Sequence, residues 1–157
     1  MEITQEVYLA LGSNSGNREE HILNAITLLN VRVGKFIIKA GNFENEAQGF
    51  ESDTLFLNTC VQIQTKLSPT NLLAEIKRIE KDLGRLPKKN EKYESRSIDI
   101  DIILYSDTVI STEELTIPHL HFRSRDFVLV PLTEIAPNVI DPLTNLTIQQ
   151  LYELFNK

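Results

Sequence analysis

The fold turns on Leu55-Phe56-Leu57-Asn58-Thr59-Cys60-Val61-Gln62-Ile63-Gln64-Thr65. Residue character alternates here with period two, as in a strand whose two faces meet different surroundings. Leu55, Leu57, Thr59, Val61 and Ile63 share the core face, whereas Phe56, Asn58, Cys60, Gln62 and Gln64 share the other. Ser68-Pro69 follows, with Ser as helix cap and Pro at the first helical position. Leu72, Ile76, Ile79 and Leu83 then make one apolar stripe, and Gly84 stops the helix.

Working outward, residues 7–11 read as a strand entering the turn Gly12-Ser13-Asn14-Ser15-Gly16. Asn17 and Glu20 form a capping box, and Ile22, Ile26 and Leu29 carry a helix toward Gly34. Residues 35–43 read as a strand and 44–54 as a polar loop. Downstream, strands are expected at 97–105, 108–110 and 127–130, and Thr147 with Gln150 caps a last helix through Phe155. Strand, helix, strand, strand, helix, strand is the βαββαβ order of a ferredoxin-like α+β sandwich. Its sheet is mainly antiparallel, its helices cover one face, a C-terminal extension follows, and the other face is left for loops and ligand.

The chain has 157 residues, which reads as a single domain, 1–157. Its net charge of −6 argues against a nucleic-acid partner, whose phosphates demand many Lys and Arg contacts. A single cysteine, Cys60, excludes an internal disulfide framework, and three histidines leave little for a His-rich zinc site. No apolar run approaches membrane-spanning length and the first residues are not a signal peptide, so no membrane partner is expected. A cytoplasmic monomer is the default.

Chemistry concentrates in Ser97-Ile98-Asp99-Ile100-Asp101-Ile102-Ile103-Leu104-Tyr105. Alternation puts Asp99 and Asp101 on one face, with Cα atoms roughly 6–7 Å apart, and Ile98, Ile100 and Ile102 in the core. Adjacent carboxylates repel unless something positive lies between them, and Mg²⁺ is held in this way by one or two carboxylates plus phosphate and water. A solvated edge strand is the alternative. Just upstream, Arg85, Lys88, Lys89, Lys92 and Arg96 against Glu91 and Glu94 give a local net of +3. Cations opposite a metal-binding pair suit a polyphosphate. Downstream, Pro118-His119-Leu120-His121-Phe122-Arg123-Ser124-Arg125 gathers two histidines and two arginines that could bind phosphate. Cys60 in a regular strand reads as packing rather than nucleophile. These residues alone leave open a metal-dependent phosphohydrolase and a non-catalytic ligand-binding module.

Taken together, the chain resembles the 6-hydroxymethyl-7,8-dihydropterin pyrophosphokinases of folate biosynthesis. The resemblance runs through Ala10-Leu11-Gly12-Ser13-Asn14, Phe56-Leu57-Asn58, Leu67-Ser68-Pro69, Ile79-Glu80 and Gly84-Arg85. It continues in Arg96-Ser97-Ile98-Asp99-Ile100-Asp101-Ile102-Ile103, Thr116-Ile117-Pro118-His119 and Arg125-Asp126-Phe127-Val128. It implies an ATP- and Mg²⁺-dependent transfer of diphosphate to the pterin hydroxymethyl group, releasing AMP. On the same ground Asp99 and Asp101 would bind two Mg²⁺ ions, and Arg85, Lys92, Arg96, His119 and Arg125 would contact phosphates. Ile102 and Thr116 would line the nucleotide pocket. Asn58, Phe56, Phe127 and Asn45 would take the pterin, a flat heterocycle suited to stacking and to an amide partner. The chain departs from the family pattern at Tyr93, Glu94 and Glu114, none of which touches the aspartates.

Overall fold

Asn17 opens the first helix as expected: its side chain accepts the Glu20 N–H at 3.1 Å. A computed structural model describes residues 3–45, 55–84 and 97–157. Its elements are β1 (Gln5–Ser13), α1 (Arg18–Arg32), β2 (Gly34–Lys39), β3 (Phe43–Asn45), β4 (Phe56–Thr65), α2 (Pro69–Asp82) and β5 (Asp99–Tyr105). The pair β6 (Ile110–Ser111) and β7 (Thr116–Ile117) follows, then a 3₁₀ turn (Phe122–Ser124), α3 (Asp126–Ile135) and α4 (Ile148–Phe155). Ser68 caps α2, Gly84 continues past its end at φ +110°, and Thr147 and Gln150 complete the capping box of α4.

The main sheet runs β2-β4-β1-β5, every pairing antiparallel, with β3 continuing alongside β4. Val7, Leu9 and Leu11 of β1, Val61 and Ile63 of β4, and Ile98, Ile100 and Ile102 face α1 and α2 in one buried cluster. The alternation thus holds along β4 and the first half of β5. A bulge then shifts the register, because Tyr8 pairs with Leu104 and Leu9 with Ile102, leaving Ile103 extra. An extra residue reverses which neighbours point where. Ile103 and Leu104 accordingly lie on the opposite face, and Tyr105 returns to the α1–α2 side.

Three expectations are corrected. Residues 127–130 are not a strand but lie in α3. A short apolar run cannot be told from a buried helix by periodicity alone, and the buried set Val128, Leu129, Pro131, Leu132 has helical spacing. Helices are not confined to one face: α3 and α4 pack on the other, around Tyr8, Cys60, Ile103 and Leu104. The 35–43 strand is split, since β2 and β3 pair with β4 on either side of residues 40–42. There Ala40 N–H donates to the Cys60 carbonyl and Thr59 Oγ1 donates to the Ala40 carbonyl.

The helix stop expected at Gly34 is in place, since α1 ends at Arg32 with Val33 as its cap, and Gly34 also begins β2 opposite Thr65. Glycine is needed there because a Cβ would lie 2.0 Å from the Gln64 carbonyl oxygen. Backbone, not a flexible side chain, would have to move. Gly34→Ala is therefore expected to cost about 2–3 kcal/mol, an overpacking penalty; urea unfolding with an unchanged midpoint would contradict the close approach.

Candidate active site

β1 runs between β4 and β5, and its register sets the site. Asn58, Gly12 and Asp99 fall in one cross-strand row, and Cys60, Ala10 and Asp101 in the next. In these two rows, on the face turned away from α1 and α2, the central strand thus offers Gly12 and Ala10. Two of the smallest residues leave a trough flanked by Asn58 on one side and the aspartates on the other. A Cβ at Gly12 would lie 3.0 Å from Asn58 Oδ1 and 3.6 Å from the Phe56 ring.

Helix α3 roofs part of this trough. Ala10, Leu11, Gly12, Asn45, Phe56, Asn58, Asp99, Asp101, Arg125, Phe127 and Val128 enclose a cavity of about 170 Å³. Seven residues singled out from the sequence therefore meet: Asp99, Asp101, Arg125, Asn58, Phe56, Phe127 and Asn45. Phe127 arrives from a helix rather than the expected strand. The cavity's Ala10, Leu11, Gly12 and Val128 had no separate assignment, and only the strand register could have marked the three from β1.

The remaining assignments fall differently. The Ile102 side chain belongs to the α1–α2 core, because alternation sends it with Ile98 and Ile100 away from the aspartates. Thr116 lies in β7 and His119 just beyond it, and neither lines the cavity. Arg85, Lys92 and Arg96 lie outside the described residues, as do 46–54 and the cationic stretch as a whole. In the turn Gly12–Gly16, Ser13 and Asn14 are buried, and only Gly12 reaches the cavity.

Asn58 is oriented by its neighbours. Its Nδ2 donates to the Phe43 carbonyl at 3.2 Å and to Asn45 Oδ1, contacts that β3 provides by pairing Phe43 with Asn58. Both amide hydrogens have partners, which fixes the flip and turns Oδ1 toward Gly12. An acceptor is thus presented at the cavity.

The loop before α3 divides the two arginines. Arg125 lines the cavity, its guanidinium carbon 5.5 Å from the Phe127 ring centre. Arg123 turns away and forks onto buried Asp141, with Nε–Oδ2 at 2.6 Å and an Nη2–Oδ1 bond at 2.9 Å. Burial opposes the Asp141 charge, but Arg123, Thr144 and the Leu143 N–H hold its carboxyl below the usual range. Arg123 is thus an anchor for the turn that delivers Arg125.

His119 is tied to β5 through its N–H, which donates to the Ile103 carbonyl at 3.0 Å. Burial pulls its imidazole below the usual histidine range, with Arg125 acting in the same direction and Asp101 opposing. That direction favours the neutral ring. Its Nδ1 accepts the His121 N–H at 3.1 Å, so the proton sits on Nε2 as a donor. Cys60 packs in the α3–α4 cluster, and burial pushes its thiol up, in keeping with a structural role.

Known proteins resemble this chain over most of its length. A model of the 7,8-dihydro-6-hydroxymethylpterin-pyrophosphokinase (HPPK) family matches residues 8–137. The Aquifex aeolicus 2-amino-4-hydroxy-6-hydroxymethyldihydropteridine pyrophosphokinase is 45% identical over 139 residues, covering 87% of this chain and 84% of its own length. The Porphyromonas gingivalis protein of the same description is 41% identical over 133 residues, covering 83% of this chain and 90% of its own. Among solved structures, a Plasmodium falciparum HPPK-DHPS superposes with a TM-score of 0.78 at 18% identity. That match covers 98% of this chain and 42% of the Plasmodium chain, and it speaks to fold alone. With the family match lying across the strands and helix that enclose the cavity, the chain belongs to the 7,8-dihydro-6-hydroxymethylpterin-pyrophosphokinase family and is a pyrophosphokinase of folate biosynthesis.

Proposed function

We propose that the cavity between β4, β1, β5 and α3 is where diphosphate passes from ATP to the pterin hydroxymethyl oxygen, with AMP as the other product. The observation that carries this reading is the convergence of two carboxylates, a guanidinium, an oriented amide and two aromatic rings on one space. Phe56 and Phe127 supply apolar faces for a planar heterocycle. Asn58 Oδ1 accepts from the N–H edge of that ring, its own donors being already engaged.

Asp99 and Asp101 fit a hard divalent cation. Carboxylate oxygens suit Mg²⁺, and among the described residues no cluster of three His, Cys, Asp or Glu would close the coordination sphere. Mg²⁺, taken as two ions, would neutralise phosphate charge when bound there. Arg125 binds phosphate oxygens, and the family likeness extends that role to Arg85, Lys92 and Arg96. Neutral His119 donates Nε2–H to a phosphate without adding charge. Thr116, next to it, lies on the nucleotide side. Phosphoryl-type transfer needs positioning and charge neutralisation more than covalent help, so no enzyme-bound intermediate forms.

We also read the β2-β4-β1-β5 order, with α1 and α2 on one face, as a ferredoxin-like core carrying two further helices. Residues 1–157 act as one pyrophosphokinase domain, as a monomer in the cytoplasm; no described helix is long and apolar enough to cross a membrane.

The deciding assay combines ATP, Mg²⁺ and 6-hydroxymethyl-7,8-dihydropterin and follows AMP. Release is expected only with the pterin present; inorganic phosphate released without it would instead indicate a phosphohydrolase. Asp99→Asn and Asp101→Asn should each lower kcat by roughly 10²–10³-fold with the fold intact. The arginines give a second test. Arg125→Ala should raise KM for ATP roughly tenfold, about one hydrogen-bonded charge pair, with little change in Tm. Arg123→Ala should instead lower Tm by several degrees, because it strands the buried Asp141 carboxylate. Identical behaviour of the two variants would contradict this division.

A further inference from the structure

Glu80 stands near the end of α2 with only 5% of its surface exposed. It does not line the cavity. A carboxylate removed from water needs strong hydrogen bonds, and one of them is specific: the Ile100 N–H donates to Glu80 Oε2 at 2.8 Å. Ile100 is the residue between Asp99 and Asp101. On either side of it, Asp99 pairs with Gly12 and Asp101 with Ala10.

Among the described residues β5 is an edge strand of the main sheet, paired there with β1. Edge N–H groups that point away from the sheet have no ladder partner, and at Ile100 that group is buried. Glu80 Oε2 occupies the place a neighbouring strand's carbonyl oxygen would take. Just outside both elements, Ser97 Oγ donates to the carbonyl of Leu83, the residue that caps α2, at 2.8 Å, so the approach to β5 is tied to the end of the same helix. The peptide joining the aspartates is therefore held by β1 on one edge and by α2 on the other.

We propose that Glu80 is a positioning residue: by fixing the Ile100 N–H from the outer edge of the sheet, it sets the separation and direction of Asp99 and Asp101. What matters on this view is the reach of its oxygen rather than its charge. The inference rests on the reading of the two aspartates as the metal-holding pair.

The test separates reach from charge. Glu80→Gln keeps an oxygen at the same length; Glu80→Asp keeps the charge but is one methylene too short. Mn²⁺ binding is measured by the spin resonance of free Mn²⁺, with an ATP analogue bearing a methylene between its α- and β-phosphates. The Mg²⁺ dependence of kcat, KM for the pterin and circular dichroism are followed alongside. Glu80→Asp should weaken Mn²⁺ binding roughly tenfold or more, as the loss of a ligand's supporting bond does, and shift the Mg²⁺ midpoint equally at unchanged pterin KM. Glu80→Gln should stay within about threefold of the parent on both. Glu80→Asp binding Mn²⁺ like the parent, Glu80→Gln shifting as far as Glu80→Asp, or Glu80→Gln failing to fold would each overturn the proposal. Parent and Asp99→Asn protein binding Mn²⁺ equally well would overturn the metal reading itself, a separate and recognisable result.

Discussion

The register of β1 between β4 and β5 is the constraint on which the site depends. It places Gly12 between Asn58 and Asp99, and Ala10 between Cys60 and Asp101. Because side chains alternate, a slip of one residue would turn β1's leucines into the trough and its small residues toward α1 and α2. Two buried clusters, one on each face of the sheet, oppose such a slip. Leu9 and Leu11 pack into the cluster on the α1–α2 side, and Tyr8 into the one on the α3–α4 side. The packing that stabilises the sheet is thus the same packing that keeps the trough open.

Helix α3 shows how one element serves stability and chemistry together. Leu129 and Leu132 bury themselves against Cys60 and Ile103, whereas Phe127 and Val128 reach the cavity from the same helix's first turn. Arg125, the residue before the helix, sits in extended backbone that aims it at the aspartates' side of the trough. What precedes it is pinned twice, by the Arg123–Asp141 fork and by the His119 N–H on the Ile103 carbonyl. The bulge that leaves Ile103 extra in β5 lies at the strand position that receives His119.

Much of this was legible in the residues. Alternation in β4 and β5 was sufficient to put Phe56, Asn58, Asp99 and Asp101 on a common face, since period two survives any error in strand ends. Caps at Asn17, Ser68 and Thr147 were readable because their hydrogen bonds are local. What was not legible depended on distant partners. Residues 127–130 carry β-branched and aromatic side chains suited to either state, and only the second buried cluster makes them helical. Gly34 was legible as a helix stop, but its second duty was not, because the Gln64 carbonyl that excludes a Cβ lies thirty positions away in sequence. The different fates of Arg123 and Arg125 could not be read from an alternating motif, because Asp141 comes from the C-terminal loop.

Charge within the site divides along the same lines as the packing. Two carboxylates sharing a strand face call for a cation, and the net −6 of the chain says nothing about whether one is at hand. The structure brings two nitrogenous groups to that side, and they differ in kind. Arg125 is permanently charged and can balance phosphate. His119 is drawn down by burial, with its arginine neighbours acting the same way against Asp101, and on the proposed reading it offers a hydrogen atom instead of a charge. A permanent cation in place of His119 would bind the polyphosphate more tightly in substrate and product alike, which lowers KM without raising kcat. A neutral donor held to β5 by its own backbone fixes direction at little cost in product release, and direction is what an in-line transfer between two bound molecules requires.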